Sequence, residues 1–136
     1  MDNLEELRSA YREWDESRGA DPCVWLDLMA DDVVLRSIAD GSAGMEFSAP
    51  RQGIAEAAQY FAELTRAWEM LYFVVDDLFS AGDRAVMVGR CAWRYRATGK
   101  EVASPTAHIW RFRDEKIVSF EEFYDTARAL AATVRD

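Results

Sequence analysis

Leu4, Leu7, Tyr11 and Trp14 recur at spacings of three and four, the mark of one apolar face of an amphipathic helix, while Arg12, Glu13, Glu16 and Ser17 fall opposite. Asp15 lies one turn after Tyr11, at the edge of the apolar stripe. Gly19 ends this helix. Asp21-Pro22 predicts the start of a second, because Asp caps well and Pro suits the first helical position. The second helix takes in Trp25, Leu26, Leu28 and Met29 and runs to Ala30-Asp31-Asp32. Residues 33–38 form a short β-rich run, and residues 40–50 read as a loop with Met45 and Phe47 inside it. After Gly53, the spacing of Ile54, Ala57, Phe61, Leu64 and Trp68 predicts a third helix.

From there the period changes to two. Residues 70–79, 84–97, 102–113 and 116–125 read as strands, separated by Ala81-Gly82-Asp83, Thr98-Gly99-Lys100 and Asp114-Glu115. A short alanine-rich helix follows, with Asp125 as its N-cap. Helices first and clustered strands later make an α+β fold: a cone-shaped, strongly curved antiparallel sheet packed on three N-terminal helices. In the middle of the last three strands stands the only histidine of the chain, His108. Alternation puts Thr106, His108, Trp110 and Phe112 on one face, and Ala107, Ile109, Arg111 and Arg113 on the other. An imidazole on an apolar strand face is either a buried group that needs a partner or a working group in a cavity. Which acidic neighbour it meets depends on the last turn. A three-residue turn at Arg113-Asp114-Glu115 brings Phe120, Glu122 and Tyr124 to its face, with Glu115 at positive φ; a two-residue turn brings Glu121.

Composition narrows the class. The chain has 136 residues, 50% of them hydrophobic, which is enough for one domain with a real core. Sixteen basic against twenty-five acidic residues give a net charge of −9, which argues against nucleic acid or an anionic membrane as partner. The charged N-terminal stretch lacks the apolar run of a signal peptide, and Cys23 and Cys91 match no metal or redox spacing, so a cytoplasmic protein with reduced thiols and no metal site is expected.

Four stretches carry a resemblance: ADDVVLRS, G-IAEAAQYFAEL, TGKEVASPTAHIWRFRDEKI and the closing EEFYDTA. Their order and spacing resemble the SnoaL-like and ketosteroid isomerase-like branch of the nuclear transport factor 2-like (cystatin-like) superfamily, from about Leu4 to Leu130, so residues 1–136 are expected to be a single SnoaL-like domain. The resemblance implies a pocket inside the cone and chemistry without a cofactor. Tyr11 matches the first-helix Tyr of the isomerases' oxyanion hole, and His108 stands where those enzymes place an Asp. Ser37 occupies the place of their catalytic Asp. Asp15 resembles the helix Asp of scytalone-dehydratase-like relatives, and Glu122 matches an acidic position of SnoaL-like sequences.

These residues set the expectation of a cofactor-independent lyase, isomerase or cyclase acting on a small apolar or polycyclic compound. His108 is expected as general acid or base, Asp15 or Glu122 as its orienting partner, and Tyr11 as a donor to developing oxyanion charge. Trp93, Tyr95, Trp110 and Phe120 are expected in the cavity wall; Trp14, Ser37, Phe61 and Tyr124 complete the expected ligand contacts. The alternative is a ligand-binding module that uses the same pocket without chemistry. The arginines that alternate along the outer sheet face, Arg90, Arg94, Arg96, Arg111 and Arg113, together with Ile109 and Phe123, point to a homodimer through that face.

Overall fold

The computed structural model describes residues 2–136. Helix α1 (Asn3–Glu16) starts where the Asp2 carboxylate accepts the Glu5 amide at 2.8 Å, and it stops where Arg18 and Gly19 turn left-handed. Its stripe of Leu7, Ala10, Tyr11 and Trp14 is buried, as the spacing requires. Helix α2 (Cys23–Leu26) is a single turn and does not run on to Asp32. Met29 opens strand β1 (Met29–Ser37) instead, because the Leu28 carbonyl accepts the Ile117 amide and Met29 pairs with Ile117. Sheet pairing supplies those backbone groups with partners, and it outweighs the local helical pattern.

The loop over residues 40–50 is more ordered than its composition implies. It contains a 3-10 turn (Glu46–Ser48) and leads into a two-residue strand β2 (Arg51–Gln52) on the edge of β1. The Arg51 guanidinium donates to the carbonyls of Phe47 and Ala49 and pairs with Glu63, which holds Met45 and Phe47 against the core. Helix α3 (Ile54–Ala67) ends one residue short of Trp68, which belongs to strand β3 (Trp68–Ala81) rather than to the helix face. Strands β4 (Arg84–Tyr95), β5 (Glu101–Arg113) and β6 (Lys116–Tyr124) and helix α4 (Thr126–Ala132) follow, with Asp125 capping α4 through the Arg128 amide at 3.0 Å.

The sheet order is β2-β1-β6-β5-β4-β3, antiparallel throughout except that β1 runs parallel to β6. The sheet curls around the helices without closing. Part of the curl is built into the β3/β4 pair, where the register slips twice, once beside Val75. Opposite that slip stands Gly89, where a Cβ would sit 2.1 Å from the Val74 carbonyl oxygen, so only glycine admits the approach.

The β5/β6 hairpin settles the register by an unexpected route. Arg113 pairs with Lys116, so the turn has two residues, not three. Asp114 (φ 50°) and Glu115 (φ 68°) are both left-handed, as a tight primed turn requires. That turn alone would oppose His108 with Glu121. Instead the register shifts beyond Phe112, where Arg111 pairs with Ser119 and Val118 is left as the extra residue of a bulge, and His108 comes to face Glu122. Thr106, His108 and Trp110 are buried on the helix side, while Arg111 and Glu121 point away from it.

Because Glu115 holds a positive φ that costs a side-chain-bearing residue about 1 kcal/mol, Glu115→Gly should stabilise the protein by roughly 0.5–1 kcal/mol. Chemical denaturation would check this; a destabilised glycine variant would mean that the turn is not strained.

Candidate functional site

Strand β5 builds one wall of the internal cavity with every second side chain: Val102, Ser104, Thr106, His108 and Trp110. Trp14 of α1, Trp25 of α2 and the Tyr60, Phe61 and Leu64 steps of α3 close the opposite side. Phe120, Glu122 and Tyr124 of β6 stand beside β5 because of the Val118 bulge. Ala129 of α4 and Asp125 before it border the other end. The void totals about 790 Å³ counting its open part, but only about 90 Å³ is wide enough for the centre of a water molecule.

The polar groups form one connected set. Trp110 Nε1 donates to the Tyr11 hydroxyl at 2.8 Å, and that hydroxyl lies 2.6 Å from His108 Nδ1. An indole N–H can only donate, so the Tyr11 oxygen accepts it; were it to accept from Nδ1 as well, its own buried proton would have no acceptor among the described residues, so that proton goes to Nδ1. The neutral imidazole therefore carries its hydrogen on Nε2, which faces Glu122 Oε2 at 4.0 Å. The other carboxyl oxygen, Oε1, accepts the Tyr60 hydroxyl at 2.8 Å. Behind it, Ser37 Oγ and the Tyr124 hydroxyl are 2.8 Å apart.

Burial decides the charge states. Removal from water pushes His108 down to about 3 and Glu122 up to about 7; the Tyr60 and Ser37 hydrogen bonds temper the rise at Glu122. Burial likewise raises Tyr11 and Tyr60 well above the ordinary phenol range and Cys91 to about 12. At neutral pH the imidazole is an uncharged donor, and the carboxyl is the group that titrates.

The expected site residues divide accordingly. Trp14, Phe61, Trp93, His108, Trp110, Phe120, Glu122 and Tyr124 line the cavity. Tyr11 does not: its hydroxyl is committed between Trp110 and His108, so it positions the imidazole and is not aimed at a ligand. Asp15 does not reach His108. Its carboxylate accepts the Phe73 amide at 2.8 Å and pairs with Arg18 at 2.9 Å, tying α1 to the edge strand. Ser37 stands outside the lining, bonded to Tyr124, and Tyr95 packs edge-on against Trp68 with ring centres 4.8 Å apart. Tyr60 is the polar lining residue that the sequence pattern should have yielded, since it lies three residues after Ala57 and four before Leu64 on the buried stripe of α3.

A family model for the SnoaL-like domain matches residues 7–120. Among solved structures, an NTF2-like protein from Burkholderia thailandensis is 27% identical over 98% of each chain, with a TM-score of 0.82. An NTF2-like protein of unknown function from Burkholderia pseudomallei is 23% identical over 97% of each chain (TM-score 0.84). TerC, co-crystallised with polyporic acid, is 22% identical over 96% of this chain and 97% of its own (TM-score 0.80). No curated protein matches the chain.

The opposed shifts give a stability signature. Glu122 is raised from 4.5 to about 7, so its favourable share is full below about 4.5 and is lost as pH climbs to 7. His108 is lowered from 6.5 to about 3, so its share is full above about 6.5 and is lost as pH falls to 3. Glu122→Gln removes only the first trend. The stability of the glutamine variant relative to the parent should rise between pH 4.5 and 7, by about 3 kcal/mol at most. Denaturant titrations across that window would read it, and a flat difference would place an ionised Glu122 in the folded protein.

Proposed function

The chain belongs to the SnoaL-like domain family, and within that fold, whose members include polyketide cyclases and isomerases, we propose that it moves a proton at the carbon beside a carbonyl group of a small, mainly apolar compound. The observation that carries this reading is the facing of His108 Nε2 and Glu122 Oε2 at 4.0 Å inside an aromatic cavity. A carbonyl oxygen that accepts the Nε2 hydrogen leaves its neighbouring carbon beside Oε2. Glu122, as carboxylate, takes the C–H proton; the electron pair moves onto the oxygen as an enolate, and the imidazole N–H stabilises that charge where water is excluded. Return of the proton to a different carbon completes an isomerisation, whereas departure of a group from the next carbon completes an elimination. No external reactant enters this balance.

The roles thus differ from a histidine acid–base. With Nδ1 held by Tyr11 and its basicity pulled down by burial, His108 serves as the hydrogen-bond donor. Glu122, near 7, is the base suited to neutral pH. The test is exchange of the α-hydrogens of small ketones such as cyclopentanone, followed by proton NMR in deuterium oxide. Exchange catalysed by the protein should grow as pH rises through about 7 and fall on the order of 10²-fold or more in Glu122→Gln. An unchanged rate in that variant would remove Glu122 from the chemistry, and exchange by no ketone at any pH would favour a binding module.

We infer further that the protein is a homodimer through its outer sheet face. Across that face Phe79 pairs with Val86 and then Ile109, and Val88 pairs with Ala107 and then Phe123, with Phe79 and Val88 each 45% exposed. Much of the surrounding charge is neutralised within the chain, with Arg90 on Asp76, Arg94 on Glu69 and Glu101, and Arg111 on Asp83. Such an apolar patch rimmed by paired charges suits a second copy of itself. Sedimentation at micromolar concentration should give a dimer that Val88→Asp converts to monomer; a monomeric parent would contradict it.

A further inference from the structure

The cavity wall combines aromatic side chains with the carboxyl of Glu122, and among the described residues its lining contains neither lysine nor arginine; Asp125, at its end, is already engaged by Arg128. The groups that face Glu122 from the elements around it are His108 on β5, Tyr60 on α3, Cys91 on β4 and Tyr124 on β6, with Tyr11 of α1 behind the imidazole. Each of them is uncharged at neutral pH, so among the described residues no positive charge answers the carboxylate. A buried carboxylate without a cation is costly, and a ring of aromatic faces attracts a cation that has shed its water. The net charge of −9 favours the approach of cations from solution.

We propose that the cavity receives a small methylated ammonium ion, bound against the aromatic wall with the Glu122 carboxylate as its counter-ion. Binding takes the proton off Glu122 wherever that group is still a carboxylic acid, so uptake of the cation releases a proton below about pH 7 and tightens as pH rises through that value. The proposal does not depend on the proton-transfer reading. A cation that binds and blocks ketone exchange is compatible with both, and loss of either activity leaves the other standing.

The probe is choline, set against its neutral isostere dimethylbutanol, in which a quaternary carbon replaces the nitrogen, with tetramethylammonium as the minimal headgroup. Calorimetric titration of the full-length protein should show choline binding at least about tenfold tighter than the alcohol, with tetramethylammonium also bound. Repeating the titration in buffers of different ionisation heat at pH 6 should reveal proton release. Glu122→Gln should remove the preference and the proton release. Should that variant fail to fold, tightening of choline binding in the parent as pH rises through about 7 tests the same point. Equal affinity for choline and its isostere, no binding of either, a pH-independent affinity, or a preference retained in Glu122→Gln would each overturn the proposal.

Discussion

The site exists because β5 and β6 meet in one register. Imidazole and carboxyl can face each other across the cavity only when His108 and Glu122 are direct cross-strand partners. A one-residue slip would turn Glu122 out to solvent and bring Glu121 in, because side chains alternate with a period of two. The tight turn at Asp114-Glu115 sets the wrong parity, and the bulge at Val118 corrects it. A bulge next to a functional group is a familiar device for re-aiming a side chain, and here it re-aims a whole strand end.

Once brought inside, the two titratable groups cannot both remain as they would be in water. The cavity supplies hydroxyls and an indole N–H, but among the described residues no counter-charge. Desolvation therefore neutralises both, the imidazole by losing its proton and the carboxyl by keeping one. The hydrogen-bond run from Trp110 through Tyr11 to His108 then determines which ring nitrogen carries the hydrogen. Tyr11 of α1 joins His108 and Trp110 of β5 into one oriented donor, and a change in any of them alters the direction in which Nε2 points.

This arrangement explains why matching residues to family positions one by one went only part of the way. Tyr11 lies where the resemblance puts it, yet its hydroxyl serves the imidazole and not a ligand. Asp15 lies on the edge of the right helix face, yet the nearest unmet need is the free amide of Phe73 on the edge strand, and the carboxylate answers that. Serine stands where the resemblance puts a catalytic Asp, and the buried carboxyl beside it is Glu122, one strand away, with Ser37 as its register neighbour on β1.

Much was legible in the chain itself. The three- and four-residue spacings of Leu7, Tyr11 and Trp14, and of Ala57, Phe61 and Leu64, determined two helices and their buried faces, since only one side of each can leave water. The period-two runs determined four long strands and put Thr106, His108 and Trp110 on a common face. What local pattern could not decide were the outcomes of competition for distant partners. Met29 through Asp32 suit a helix alone but run in β1, where Met29 pairs with Ile117 of β6. Arg51 and Gln52 form a strand only because β1 is beside them. The Val118 bulge, the choice of Glu122 over Glu121, and the cavity left between the aromatic walls all follow from fitting a curled sheet onto helices. Packing and pairing of that kind are properties of the whole molecule, so tertiary structure alone decided which carboxyl meets the histidine.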